Sequence, residues 1–457
     1  MSEQSRLDYI LADRRKKLAE LEAQGINPFP SHVERTYTAA QARVADGKRV
    51  SIAGRITAIR EHGKMVFADV RDSSGDVQVN WRHDELAPER FRAVKLLDPG
   101  DFIAVTGTVF RTKTDEPTVL IASYAVLAKA LRPVPSDRQE IENVDERFRK
   151  RYLDLLINSG VRERFHQRSA IIQAIRRYYE ANGFTEVETP ILQLIPGGAM
   201  AQPFQTHYNA YDADVYLRIA PELYLKRLLI GGYERVFEFA RCFRNEQADA
   251  THNPEFTQVE SYVAYWDYED LMGFVEQMVS TVVKEVFGTQ KLKIGGQEIS
   301  FAAPFARTTF LEVSGGHRED AKFKEGTQGI IQPTFVTNHP KELVPLAKRD
   351  PSNPGLVQSF QLVIAGVEVA KAYSELNDPV EQQRRFEEQE QARSGGDEEA
   401  QRNDPDFIEA LEYGMPPAAG LGVGIDRLVS LLTDAGSLRE VMLFPFMKPR
   451  PDSRQDG

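Results

Sequence analysis

Residues 241–262 read RCFRNEQADATHNPEFTQVESY. The flanks of this stretch, 233–243 and 256–265, are rich in Val, Phe and Tyr, and neither holds a Pro or Gly after Tyr233. Both read as strands. The middle, 246–254, is polar and ends on an Asn-Pro turn signal, so the unit is predicted to be a long antiparallel hairpin with charged residues at its open end. Its side chains suit a nucleotide. Arg244 can grip a phosphate through two N–H groups, and Phe256 offers a flat face to a base. Glu246 can accept from an exocyclic amine, and His252 can donate to a distal phosphate. A solvated surface hairpin is the plainer alternative, and the rest of the chain has to decide between them.

No GxGxxG or Walker A loop occurs, so a nucleotide here is expected to lie on a sheet and be held by side chains. Residues 49–131 read as five short alternating strands broken by Gly, Ser-Gly or Asp, with a helix-like stretch at 85–95 between the third and fourth. That pattern suits an OB-fold barrel, a frequent single-strand nucleic-acid binder. On it, Phe67 can stack a base while Arg60, Gln78 and Glu116 can hydrogen-bond base edges. Residues 5–25 have the spacing of an exposed amphipathic helix with a basic cluster, Arg14 to Lys17, that is either solvated or an accessory RNA contact. A polar, Pro-containing linker (131–142) precedes a helix over ERFRKRYLDLLI and another over 161–182. Residues 391–405 read as an acidic loop.

The net charge is −11, so no global basic field draws in nucleic acid and any RNA contact must be local. The single cysteine, Cys242, excludes an intramolecular disulfide and a cysteine-rich zinc site. No apolar run approaches a membrane span, and the N-terminus lacks the apolar core of a secretory signal. A cytosolic, cytoplasmic setting is expected.

FRNE followed by HNPEFT resembles motif 2 of the class II aminoacyl-tRNA synthetases, in the form used by lysyl-tRNA synthetases. GFTEVETPIL (183–192) looks like motif 1 and GLGVGIDRLVSLLT (420–433) like motif 3. IPGGAMAQPF (195–204), LRIAPELYLKRLLIGGYERVFE (217–238) and AYSELNDP (372–379) fall in family order between them. The resemblance implies an α+β protein: an N-terminal OB-fold β-barrel for the anticodon plus a class II catalytic domain, an antiparallel sheet flanked by helices. The expected divisions are a helical extension (1–48), the OB-fold (49–131), a linker (132–160) and the catalytic domain (161–450), whose insertion around 301–331 is short for the family. Members read the central U of the lysine anticodon at positions matching Arg60, Phe67, Gln78 and Glu116.

The implied activity is that of a lysine–tRNA ligase: ATP activates lysine, and the adenylate passes to tRNA(Lys). Mg²⁺ is the implied cofactor and a homodimer the implied assembly. Carried over position by position, Arg244 and Arg427 are the catalytic arginines. ATP is expected at Arg244, Glu246, His252, Asn253, Phe256, Glu368 and Arg427. Lysine is expected at Gly198, Glu222, Arg244, Tyr262, Lys371, Tyr373 and Glu375, and magnesium at Glu368 and Glu375. Two departures stand out. The family usually has an acid where this chain has Gln361, and Asn where it has Lys371. Strand alternation puts Lys371, Tyr373 and Glu375 on one face, so the Lys371 ammonium is expected to pair with Glu375 or with a phosphate, taking over part of a magnesium ion's role. Rival readings are an Asp or Asn ligase, a paralogue that lysylates a protein, and a non-catalytic RNA-binding protein with a decayed ligase domain. Glu222 argues against the first and the OB-fold against the second. The retained Arg244, Glu246, Glu368 and Arg427 argue against the third.

Overall fold

The computed structural model describes residues 3–135, 141, 143–246, 249, 252–396 and 400–450. The chain divides into two compact units, Met1–Glu140 and Ile141–Gly457. Parts of the expected linker (136–140 and 142) and of the hairpin loop (247, 248, 250 and 251) lie outside the described residues, as do 397–399 of the expected acidic loop.

In the first unit, helices α1 (Glu3–Ala23) and α2 (Ala39–Arg43) precede strands β1 (Arg49–His62), β2 (Met65–Asp72) and β3 (Gly75–Arg82). Helix α3 (Pro88–Ala93) leads to β4 (Phe102–Arg111) and β5 (Pro117–Ala128). The strands close a barrel in the order β1-β2-β3-β5-β4. β1 and β2 alternate buried and more exposed residues, while β3, β4 and β5 include consecutive buried positions, and the interior holds Val50, Ile52, Val77, Val79, Trp81, Ile103 and Ile121. The expected helix falls where the pattern put it, between the third and fourth strands.

The basic cluster on α1 is not wholly exposed. The Arg14 guanidinium is buried and donates to the carbonyls of Ala130, Arg132 and Pro99, and Lys17 pairs with Asp98 at 2.7 Å. Only Arg15 and Lys16 point to solvent. Beside them Asp101, fully buried, accepts from Lys129 Nζ (2.8 Å) and from the N–H groups of Ala130 and Asp98 (both 2.8 Å).

In the second unit, α4 (Val144–Arg149), α5 (Arg151–Ile157) and α6 (Ser159–Ala181) come first. The helix expected over 146–157 is broken at Lys150 (φ −112, ψ 47), and Arg151 turns inward to Asp154 and to the carbonyls of Arg439, Met442 and Leu443. These helices belong to the second unit rather than to a linker. Next come β6 (Thr185–Glu186), β7 (Leu192–Gln193), β8 (Gln205–Tyr208), β9 (Ala213–Leu217), α7 (Glu222–Ile230), β10 (Arg235–Phe243), β11 (Glu255–Ala264) and α8 (Tyr268–Phe287). After a small hairpin, β12 (Lys291–Ile294) and β13 (Gln297–Ser300), the segment around 301–331 is compact. It comprises β14 (Ala306–Thr309), α9 (Phe310–Val313) and α10 (Asp320–Thr327), with Phe310 stacked on Phe323. The chain ends with β15 (Thr334–Thr337), β16 (Ser359–Ile364), β17 (Val367–Ser374), α11 (Pro379–Ser394), α12 (Pro405–Glu412), β18 (Ala418–Gly424) and α13 (Ile425–Leu432).

Eight of these strands form one sheet, β14-β15-β16-β17-β18-β11-β10-β6. It is antiparallel except at its two edge pairs. The β10–β11 hairpin forms as read, from Arg235 opposite Val263 to Phe243 opposite Glu255. One face of the sheet, with Val259, Val263, Leu421, Val423 and Ala372, packs on α6, α8 and α13. There Tyr179 stacks on Phe237 and shares a hydrogen bond with Ser261. The other face is left for the site.

Replacing Asp101 with Ala would strand the fully buried Lys129 ammonium between Asp98 and a void. The loss expected is about 3–5 kcal/mol from the first unit, read as a lower urea midpoint by Trp81 fluorescence in a Trp266→Phe background. An unmoved midpoint would mean the ion pair carries no weight there.

Candidate active site

A cavity of about 360 Å³ opens over the sheet face opposite the helical layer. Its floor is three strands in register. On β11, Gln258, Glu260 and Tyr262 lie opposite Gly424, Gly422 and Gly420 of β18. On the other side of β18, Lys371 and Tyr373 of β17 lie opposite Gly422 and Gly420. The period of two in a strand puts all of these on one face. Glycine at alternate positions of β18 leaves a trough between the side chains of its neighbours. A Cβ at Gly420 would collide with the Glu375 carboxylate and the Tyr262 ring, whereas one at Gly422 would meet nothing nearer than Glu260 Cγ at 3.8 Å.

One end of the trough is cationic and aromatic. Arg244 leaves β10 with its guanidinium 5.0 Å from the Phe256 ring centroid, and its buried Nε has no hydrogen-bond partner. Asn253 donates to the Glu255 carbonyl and leaves its buried Oδ1 unpartnered. Glu246 and His252 line the mouth, and His252 is 3.1 Å from the Asp249 carboxylate. Asp426 accepts from the Thr257 N–H (2.7 Å) and pairs with Arg168 (2.6 Å), which fixes the start of α13 against β11 and thereby places Arg427. Arg427 Nη1 lies 3.8 Å from Glu368 Oε1, both groups more than a third exposed. A pair so solvated is worth about 0–1 kcal/mol, so either partner is available to a ligand.

The other end is acidic and closed. Glu222, the first residue of α7, accepts from Tyr373 Oη (2.8 Å) and from Lys226 Nζ (2.6 Å). Lys226 is fully buried, and its ammonium also reaches Glu375 Oε2 at 2.5 Å. Glu375 Oε1 has no hydrogen-bond partner. Glu260 accepts from Gln258 Nε2 (2.5 Å) and from Tyr262 Oη (3.1 Å). Burial, then the neighbouring Glu222 charge, push Glu260 up to about 8. Burial also raises Glu375, against the pull of Lys226. Burial works against the Lys226 ammonium, but Glu222 and Glu375 outweigh it and its pKa is raised. Gly198, at φ +87, brings its backbone against the Glu222 side chain, where a Cβ would clash.

The cavity thus gathers Arg244, Glu246, His252, Asn253, Phe256, Glu368 and Arg427 at one end and Gly198, Glu222, Tyr262 and Tyr373 around the other, with Lys371 on the floor between them, opposite Gly422. Two expectations need correcting. Glu375 is not placed to share a metal with Glu368, because its carboxylate is buried against Lys226 while Glu368 faces Arg427 at the mouth. Lys371 does not pair with Glu375, since Lys226 already holds that acid, and no ion pair of Lys371 occurs among the described residues. Gln361, opposite Lys371 across β16–β17, is buried with an unpartnered Oε1. The nearby His339 is held neutral, its pKa pushed down to about 3 by burial and then by Lys371. Among the described residues no cluster of three or more His, Cys, Asp or Glu side chains forms a metal site.

Sequence reasoning passed over Lys226 and Glu260. The Glu222–Lys226 spacing of four on a helix was a legible signal for a pair. Glu260 sits one strand period before Tyr262, on the face already assigned to the site.

On the barrel, Arg60 and Phe67 are cross-strand partners, as are Asp69 and Gln78. Arg60 is held by Asp69 through two 2.7 Å hydrogen bonds, and Gln78 Oε1 accepts from Thr118. Phe67 is half-buried with His62 at its edge, and Glu116 pairs with Arg43 at 3.2 Å.

A nucleotide-sized trough on an antiparallel sheet, in a chain that also carries an OB-fold unit, defines a class. Residues 143–448 match the family model of class II tRNA synthetases (D, K and N), and residues 50–127 match the OB-fold nucleic acid binding domain. The Lysine–tRNA ligase of Pelotomaculum thermopropionicum is 46% identical over 484 aligned residues, covering 97% of this chain and 96% of that protein. That of Carboxydothermus hydrogenoformans is 45% identical over 98% of this chain and 100% of its own length. That of Magnetococcus marinus is 44% identical over 98% of each. The chain belongs to the lysine–tRNA ligase family of class II tRNA synthetases.

Glycine at position 420 is required by contact and at 422 by little. Gly420→Ala should cost the second unit about 1–3 kcal/mol through overpacking, while Gly422→Ala should be close to neutral. Chemical denaturation followed by Trp266 compares them, and equal losses would contradict the trough geometry.

Proposed function

We propose that this chain is a lysine–tRNA ligase whose sheet trough takes ATP at the arginine end and lysine at the acidic end. The observation that carries this is the polarity of the trough: Arg244, Phe256 and Arg427 at its mouth, and three buried carboxylates with two tyrosines at its closed end. The lysine carboxylate attacks the α-phosphorus of ATP and expels pyrophosphate, and a terminal ribose hydroxyl of tRNA then takes the acyl group. Neither step needs a side-chain nucleophile. Placing reactants in line and stabilising phosphate charge are enough.

Arg244, with an unpartnered buried Nε, binds the α-phosphate and the reacting carboxylate. Glu246, Asn253 and Phe256 receive adenine, Arg427 covers its other face and reaches the γ-phosphate, and His252 meets the distal phosphates. Gly198 leaves room for the α-amino end. Glu222, Glu260, Tyr262 and Glu375 hold the ammonium groups, and Tyr373 walls the aliphatic stem. The closed acidic end disfavours aspartate and asparagine, whose side chains call for basic or neutral partners.

Mg²⁺ takes one or two carboxylates and completes its shell with phosphate oxygens and water. Glu368, an exposed oxygen donor at the mouth, fits that demand. When bound, the ion neutralises phosphate charge. Lys371, an ammonium on the trough floor beside the neutral Gln361, carries part of the positive charge that a second acid-bound ion would supply. A nucleotide complex with a full set of ions and Lys371 turned to solvent would contradict that role.

The barrel face with Phe67, Arg60, Gln78 and Glu116 takes the anticodon of tRNA(Lys). Arg60 exchanges its exposed Asp69 partner for a base edge. A homodimer through the motif 1 region is supported by exposed Ile191, Leu192 and Leu194. Among the described residues no helix is long and apolar enough to cross a membrane, which accords with a cytoplasmic enzyme.

ATP–pyrophosphate exchange should be stimulated by lysine alone among the amino acids, and stimulation by aspartate or asparagine instead would reverse the assignment. Glu222→Gln should weaken lysine use by about 1.5–3 kcal/mol, the worth of a charge-assisted hydrogen bond. Phe67→Ala should leave exchange intact and weaken tRNA binding by about 1–3 kcal/mol through lost stacking. Unchanged tRNA affinity would move the anticodon elsewhere.

A further inference from the structure

The closed end of the trough carries more negative charge than it can hold when empty. Three carboxylates, Glu222, Glu260 and Glu375, are each at most 7% exposed, and among the described residues the one ammonium buried with them is Lys226. The other groups around Glu260 do not close the gap. From α7 come Glu222 and Lys226. From β10 come Glu238, which is already paired with Arg218 at 2.5 Å, and the buried thiol of Cys242. Beyond β10 lies Arg244. From β11 comes Tyr262, and from β17 Tyr373 and Lys371, while β18 offers only glycines on this face. Tyr262 and Tyr373 hold their protons, raised well above the ordinary phenol range by burial and by Glu222. No ion pair joins Lys371 to Glu260.

An uncompensated carboxylate in such a place takes up a proton rather than stay charged. Lysine brings two ammonium groups, one at each end of its stem, and its own carboxylate goes to Arg244. With Lys226, those two ammonium groups match the three carboxylates.

We propose that lysine exchanges for protons in this pocket, with Glu260 protonated when the pocket is empty and ionised when lysine is bound, and that Lys226 is the positioning residue that sets the deficit. The Lys226 ammonium holds Glu222 and Glu375 apart as fixed acceptors and neutralises one charge of the three, leaving the remainder for substrate. The raised pKa of Glu260 agrees in direction with this geometry. The sign follows from competition. Protons and lysine seek the same carboxylates, so lysine affinity rises with pH towards about 8, and the rise ends where lysine's own ammonium groups begin to lose their protons.

The inference rests on the lysine reading of the pocket, and the experiment separates the two. Lysine is titrated calorimetrically into the full-length protein at pH 7 in phosphate and in Tris, whose ionisation enthalpies differ. The expected result is a buffer-dependent heat equivalent to about one proton or more released per lysine bound. Heat with no buffer dependence would overturn the exchange while leaving the lysine reading intact, and no lysine binding at all would overturn the lysine reading itself.

Glu260→Gln keeps the shape and removes the titrating group, its single carbonyl oxygen accepting in place of one of the two carboxylate oxygens, and should lower the release by about one proton. Unchanged release in that variant would remove Glu260 from the role. Lys226→Met should change the number of protons released as well as the affinity for lysine, whereas a purely structural lysine would alter affinity alone. If Lys226→Met does not fold, the wild-type and Glu260→Gln titrations still decide the exchange.

Discussion

The site depends on what β18 lacks. Gly420, Gly422 and Gly424 occupy the face of the sheet that would otherwise be filled by side chains from its middle strand. With no Cβ there, Tyr262 and Glu375 lean across from either side, and a trough runs between β11 and β17. The opposite face of the same strand carries Ala419, Leu421 and Val423 into the core. One strand therefore anchors the sheet to α6, α8 and α13 on one face and clears a trough on the other. The fold is ordinary packing on one side and deliberate absence on the other.

Lys226 is the second constraint. A buried lysine is costly unless paired, and breaking a buried pair by removing one partner typically costs several kcal/mol. Its two partners come from distant parts of the chain: Glu222 opens the same helix, and Glu375 lies just beyond β17. The ammonium therefore ties α7 to the sheet and aims both carboxylates at once. It also means that the acidic pocket is not simply a negative hole. It is a charge arrangement already partly satisfied by Lys226.

Much of this was legible from residues alone. The β10–β11 hairpin showed itself because two strand-like runs flank an Asn-Pro turn, and the barrel because five alternating segments are spaced by Gly and Asp, with a helix in the interruption. The candidate site residues came through motif resemblance, and the trough gathers nearly all of them. What was not legible came from tertiary burial. Nothing local marks Arg14 or Arg151 as buried, since both sit in basic, helix-like runs whose neighbours are solvated. The break at Lys150 serves contacts with residues near 440, far along the chain. Strand alternation put Lys371 and Tyr373 on one face, as found, but of the two partners expected for Lys371, Glu375 or a phosphate, Glu375 is taken by Lys226. The true partner of Glu375 is on a helix some 150 residues earlier in the chain, beyond the reach of any periodicity.

The central claim is that one trough over the β18 glycines seats both substrates, phosphates toward Arg244 and the lysine side chain toward Glu375. The most direct measurement is a crystal structure with lysine and a non-hydrolysable ATP analogue. The account predicts adenine between Phe256 and Arg427, the α-phosphate on Arg244, and the lysine stem over Gly420 with its ammonium beside Glu375 and Tyr262. A nucleotide bound away from the trough, or lysine lying with its ammonium toward Arg244, would contradict it.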